Sequence, residues 1–322
     1  MKQRILGVVF AGCAAVLGQA AVAADFPSKS INFVVPYSPG GGTDIASRLI
    51  TEKISREKGW SFIVDNRPGA SGSVALAYLT RQKPDGHMLA MGQTSNLSIN
   101  PFLNKDIAYD TQKDFTPIAV VNSQPMVVVV AAKSKYQNFE ELVADAKAGK
   151  RLTMGTPGIG TVSHMSMEYF GQQADVAFRH IPYPGATQAI TEVMGGQLAF
   201  AATSLPSALS HIRAGSVRAL AVTSKERNAS VPDVPSIAEL GYDDFDVGDW
   251  KAVVAPAGVS DDVAKQLNAA VNDALKDKDV IVAFEREGSE IVGGSADDFK
   301  ALLDKEQARW EQVIAAAKID KK

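Results

Sequence analysis

Four segments of this chain carry residues suited to holding a small anion. The first is Tyr37-Ser38-Pro39-Gly40-Gly41-Gly42-Thr43-Asp44. Its glycines let a ligand approach the backbone closely, and the N–H groups that open the next helix favour negative charge. The second is Gln93-Thr94-Ser95-Asn96, polar directly after an apolar run. The third is Gly158-Ile159-Gly160-Thr161, with His164 within the first helical turn after it, and the fourth is Tyr183-Pro184-Gly185-Ala186. Thr203-Ser204 adds two hydroxyls after a later apolar run. Any one such turn is more commonly structural than functional, so their convergence on one sheet edge matters more than any single segment. Arg67, in Asp65-Asn66-Arg67-Pro68-Gly69, offers a cation to an acidic ligand or, more simply, to its own loop.

Patterns for covalent chemistry are missing. Gly69-Ala70-Ser71-Gly72-Ser73 lacks the last glycine of a nucleophile elbow, and no GxxxxGK[ST] phosphate loop occurs. The histidines at 87, 164, 180 and 211 show no H-x-x-x-H pairing, so no metal or cofactor is expected. Ser163-His164 with a distant acid would be needed for a hydrolase, yet adjacent residues seldom face each other. Asp243-Asp244, Asp261-Asp262 and Asp297-Asp298 sit at helix starts or polar loops, where carboxylates cap and solvate.

The elements that position these loops follow from periodicity. Short apolar runs at 32–36, 62–64, 87–92, 127–132, 152–155, 178–183, 198–202 and 217–222 read as strands. Amphipathic stretches between them read as helices, with Thr43 or Asp44 as a cap for the first and Asn138 with Glu141 as a capping box. Further helices are expected around 261–276 and 296–318. Strand–helix alternation with Gly/Pro turns predicts an α/β protein with mostly parallel sheets. No linker divides the chain, so it is expected to cross between two lobes through strands.

Of 322 residues, 46% are hydrophobic and 21% charged, with 33 Lys and Arg against 36 Asp and Glu. That balance gives no basic surface for a nucleic acid. Met1-Lys2-Gln3-Arg4, an uncharged apolar run from Ile5 to Gly18, and small residues through Ala24 follow the order of a signal peptide, with cleavage expected after Ala23 or Ala24. Cys13, the chain's one cysteine, falls inside that leader; a lipid anchor on it is the rival reading. The expected product is exported to the periplasm and free of thiols.

Together these motifs resemble a family. The export-like start, Val35-Pro36-Tyr37-Ser38-Pro39-Gly40-Gly41-Gly42-Thr43-Asp44 and Val64-Asp65-Asn66-Arg67-Pro68-Gly69-Ala70-Ser71-Gly72 are similar to those of the tripartite tricarboxylate transporter receptors, or Bug proteins. So are Pro84-Asp85-Gly86, Asp114-Phe115-Thr116-Pro117-Ile118, His180-Ile181-Pro182-Tyr183 and Gly195-Gly196-Gln197. Pro232-Asp233-Val234-Pro235-Ser236, Glu239-Leu240-Gly241 and Trp250 before Ala255-Pro256-Ala257-Gly258 complete the series. The resemblance implies a two-lobed periplasmic binding protein of the Venus-flytrap kind, with a leader at 1–24, lobe 1 at 25–124 plus about 247–322, and lobe 2 at about 125–246. It further implies a monomer that closes on a small organic carboxylate and delivers it to a permease of large and small membrane subunits. Presentation of the ligand-bound form to a signalling protein is an alternative that the same fold allows. The 39–44 loop would hold the carboxylate in one lobe, and 158–161 with 185–186 in the other. Thr94 and Ser95 would help close the site, and Tyr37 would lie against the ligand body. Tyr-Ser-Pro stands here where many relatives carry Phe-Pro-Ala, which leaves the part of Ser38 open.

Overall fold

A computed structural model describes residues 26–317. The basic start, the apolar run and Cys13, read above as an export leader, lie outside the described residues. No helix among the described residues is long and apolar enough to cross a membrane.

The first half opens with β1 (Ile31–Val35), α1 (Gly42–Lys58), β2 (Phe62–Asn66), α2 (Ser73–Leu79) and β3 (Met88–Gln93). β1 pairs in parallel with β2 on one side and β3 on the other. A π-helical turn at Ser95–Ile99 leads into α3 (Asn100–Leu103). Then β4 (Phe115–Ala131) runs for 17 residues and leaves this sheet. The second half is α4 (Phe139–Lys147), β5 (Thr153–Thr156), α5 (Val162–Ala174), β6 (Arg179–Pro182), α6 (Ala186–Met194), β7 (Phe200–Ser204), α7 (Leu205–Arg213) and β8 (Val217–Val222). The chain returns through β9 (Gly248–Pro256) and ends with α8 (Asp261–Leu275), α9 (Lys278–Arg286), β10 (Glu290–Gly293) and α10 (Ala296–Ala317).

Strand order is β2-β1-β3-β9-β4-β7-β5-β6, with β8 and β10 also paired to β4. Residues 115–125 of β4 pair with β9, and residues 126–131 pair with β7 and β8. One strand therefore belongs to two sheets, and the chain crosses between its halves through it. The outer strands are parallel, as the strand–helix alternation demands, while β4 and β9 run antiparallel to their neighbours.

Each sheet is covered on both faces, which explains the unbroken valines of β4. Val128 and Val130 pack into one core and Val127 and Val129 into another. Full burial of each such side chain contributes roughly 1.5–3 kcal/mol relative to exposure. Thr223, fully buried, holds the crossing point: its hydroxyl accepts from Met126 N–H at 2.8 Å and donates to Val247 O at 2.7 Å. α10 spans both halves, with Phe299 and Leu303 in a core of the first sheet and Trp310, Val313 and Ile314 in a core of the second.

One local expectation is corrected. Neither Thr43 nor Asp44 caps α1; Gly41 is its N-cap, without a side-chain bond. The Thr43 hydroxyl turns to the sheet, donating to Gln93 Oε1 at 2.8 Å, and Asp44 is occupied within the preceding loop.

Candidate functional site

The loop after β1 is built around a buried carboxylate. Asp44 Oδ2 accepts from Gly40 N–H at 2.9 Å, Oδ1 accepts from Asn66 Nδ2 at 2.9 Å, and both lie 3.0 Å from Arg48 Nε. Burial raises the carboxyl pKa, but these donors outweigh it and hold Asp44 below the ordinary carboxylate range. With both oxygens engaged, Asp44 shapes the loop rather than offering itself to a ligand. Ser38, Pro39, Gly40, Gly41 and Gly42 are left exposed above it. Arg67 ties down its own loop: its Nε is 2.6 Å from Asp65 Oδ2 and its guanidinium stacks 3.7 Å over the Tyr78 ring.

A polar chain runs beneath this loop. Thr43 donates to Gln93, Gln93 Nε2 donates to Ser95 Oγ at 3.0 Å, and Ser95 Oγ meets Tyr37 Oη at 3.1 Å. Tyr37 Oη donates to Ser71 O at 3.0 Å. Burial pushes the Tyr37 phenol well above its ordinary value, so it stays protonated and can donate. Ala70 and Ser71 both have positive φ, 45° and 52°, a strained conformation held by Tyr37 and by Asn100 Nδ2, which donates to Ser71 O at 3.2 Å. Gly72 permits the approach: a Cβ there would sit 2.4 Å from Asn96 Nδ2. Thr94 faces the crossing strands instead, accepting from Trp250 N–H at 2.9 Å, and is fully buried. Gln93 and the 70–72 turn fall in segments the sequence singled out, whereas Asn100, which ties that turn down, lies in none of them.

In the second half, Thr156 and Thr161 hold the Gly158–Gly160 loop. Both hydroxyls lie near Gly158 O, at 3.1 and 2.9 Å, and Thr161 caps α5 by accepting from His164 N–H. His164 turns inward: Nδ1 accepts from Gly160 N–H at 3.2 Å and Nε2 is 3.3 Å from Glu168 Oε1. Its nitrogens are engaged within the protein. His180, passed over as a site residue in the sequence, stacks on it. Tyr183 N–H donates to Thr156 O, which carries the chain into Gly185 and the start of α6. Thr203 is fully buried on β7, and Ser204 Oγ lies 2.8 Å from Ser207 Oγ.

The helix starts differ in one respect that bears on chemistry. α4, α5, α8 and α9 each accept first-turn N–H groups on an N-cap side chain, from Asn138, Thr161, Ser260 and Asp277. α1, α2, α3, α6 and α7 have no side-chain cap, and among them α1 and α6 begin at glycines in extended backbone, Gly41 and Gly185. The first-turn N–H groups at 42–44 and 186–188 have no acceptor within their own helices, and each helix end carries partial positive charge. Each such donor set is suited to an anion. A cavity of about 850 Å³ between α7 and α8–α9, lined by Arg213, Ser230, Lys276 and Glu285, shares none of these residues. The reading of the site therefore rests on helix ends rather than on volume.

Comparison with known proteins agrees with this architecture. The sequence profile of the tripartite tricarboxylate transporter family receptor matches residues 46–319. This chain belongs to that family. Protein BugT of Bordetella pertussis is 32% identical over 314 residues, covering 97% of this chain and 96% of BugT. Among solved structures, an R. palustris receptor with adipate superposes with a TM-score of 0.82 at 31% identity, covering 92% of this chain and 99% of its own. MatC from Rhodopseudomonas palustris, with bound malate, gives 0.78 at 29%, covering 90% and 100%. The fold is thus the two-lobed one of periplasmic binding proteins, and family members are periplasmic solute receptors.

Proposed function

We propose that this chain captures a small organic carboxylate between its two lobes and delivers it to a tripartite permease of large and small membrane subunits. The lobes would be 25–124 with about 247–322, and about 125–246. The observation that carries the reading is that α1 and α6 each start at a glycine in extended backbone without a side-chain cap, unlike α2, whose N-cap Gly72 is left-handed. The relatives solved with adipate and with malate support the ligand class.

The physics favours this arrangement over an ion pair. A carboxylate that accepts from the first turns of α1 and α6 is neutralised by two partial charges, with no buried Arg or Lys to desolvate. Contacts from both lobes make the closed form the better binder, so ligand shifts the hinge equilibrium toward closure. Tyr37 would lie along the ligand body, with Ser38 and the exposed Gly40–Gly42 backbone on one side and Gly158, Gly185 and Ala186 on the other. The chain would work as a monomer in the periplasm, after loss of residues 1–24.

The test is calorimetry on the purified protein against mono-, di- and tricarboxylates, aromatic diacids included, with thermal shift alongside. At least one carboxylate should bind and raise the thermal midpoint. Tight binding of a sugar or a cation, with no response to any carboxylate, would overturn the proposal.

A further inference from the structure

The rings of His164 and His180 lie face to face, with centroids 3.8 Å apart and 15° between their planes. They come from different elements, the first turn of α5 and β6, and each holds one point of the loop that joins β5 to α5. His164 Nδ1 accepts from Gly160 N–H, which assigns its ring proton to Nε2, facing Glu168. His180 Nε2 is 2.7 Å from Thr156 Oγ1, and that hydroxyl lies 3.1 Å from Gly158 O and 3.3 Å from Gly158 N. Gly158 and Gly160 have φ of 132° and 75°, so the loop has no strong conformational preference of its own and depends on such ties.

We propose that the stacked His164–His180 pair is a neutral clamp that sets the geometry of the Gly158–Gly160 loop for ligand capture. In this arrangement His180 is a positioning residue that acts through Thr156 and never touches the ligand. The inference rests on the reading of that loop as part of the ligand site.

Charge is what would open the clamp. A proton on His164 Nδ1 sets N–H against the Gly160 N–H, and a proton on His180 puts a cation against the face of its neighbour with little water around it. Burial, and then the His164 ring, push His180 down to about 4, while Glu168 works in the opposite direction. The titratable groups bearing on the His180 ring are His164 and Glu168, both from α5. From β5 it meets the uncharged Thr156 hydroxyl. Gly160 also lies against the apolar Leu103 side chain of α3, 2.6 Å from where a Cβ would sit. His180 is therefore neutral above about pH 5, and acid that protonates it releases the loop.

The test has two arms. Hydrogen exchange of the 156–164 segment in the ligand-free protein reads the clamp itself. His180→Ala should raise exchange there about tenfold, whereas His180→Gln, which keeps a polar atom at the ε position and cannot titrate, should preserve protection. Calorimetry with adipate and with malate from pH 7.5 to 4 reads the consequence. His180→Gln should match wild type within about threefold at pH 7, and its affinity relative to wild type should rise about twofold by pH 4, where about half of the His180 rings carry a proton; the ratio at each pH cancels the ligand's own titration. Unchanged exchange in His180→Ala, or wild-type affinity that rises relative to His180→Gln on acidification, would overturn the clamp. Failure of every carboxylate to bind, with the exchange pattern as expected, would count against the ligand reading and leave the clamp standing.

Discussion

Tyr37 joins the loop after β1 to the strained turn at Ala70–Ser71 and to Ser95 through one hydroxyl. Tyr37→Phe keeps the ring and removes those bonds, which should lower stability by about 1 kcal/mol and weaken carboxylate binding several-fold, as seen by denaturant unfolding and calorimetry. Asp44 has a more purely structural role and a defined pH signature. Its folded pKa is depressed below the unfolded one, so its contribution is present above about pH 4 and is lost as pH falls through the folded value. Asp44→Asn should therefore destabilise by about 2 kcal/mol at pH 7, because Gly40 N–H and Arg48 lose a charged acceptor. The gap between variant and wild type should narrow below pH 4; equal gaps at pH 3 and pH 7 in urea titrations would rule this role out.

At the scale of elements, α1 and α6 invite a substitution that separates folding from binding. Gly41 has φ −81° and ψ 163°, the backbone of an ordinary N-cap, and a Cβ there would meet only Ser38 O at 3.6 Å. Gly185 is extended, and a Cβ there would meet nothing within 4 Å. Gly41→Asp or Gly185→Asp should raise stability by roughly a few tenths of a kcal/mol, since the new carboxylate caps the helix, and should abolish carboxylate binding by occupying the ligand's donors. Helix and strand order were legible in sequence wherever apolar runs had the period of their element; the unbroken valines of β4 and the Asn138 cap are examples. β9 was not legible, although it is central, because Asp249 and Lys251 put charges on a buried strand. β10 is four residues long and carries little pattern. The glycine loops announced themselves as candidates, but the inward turn of Asp44, Thr94 and His164 depends on partners 22 to 156 residues away or on local loop geometry that spacing alone does not encode.

The whole molecule turns on the crossing strands, and there it carries two costly charges. Asp249 and Lys251 are one strand period apart on β9, Lys251 buried and Asp249 half-buried, with Asp249 Oδ1 and Lys251 Nζ lacking hydrogen-bond partners. Burial pushes the carboxyl up and the ammonium down, so each disfavours the folded state at neutral pH. Asp249→Asn alone should lower stability, because it strips Lys251 of its nearby opposite charge. Asp249→Asn with Lys251→Met should instead raise the thermal midpoint by a few degrees. The proposed function at this scale is capture of an anion by two lobes at once, and one measurement addresses it most directly: calorimetric titration of wild type, Gly41→Asp and Gly185→Asp with adipate, malate and a tricarboxylate. Saturable binding by wild type, lost in both variants although both remain folded and at least as stable, is the expected result. Binding that survives both substitutions unchanged would contradict a carboxylate held between the ends of α1 and α6.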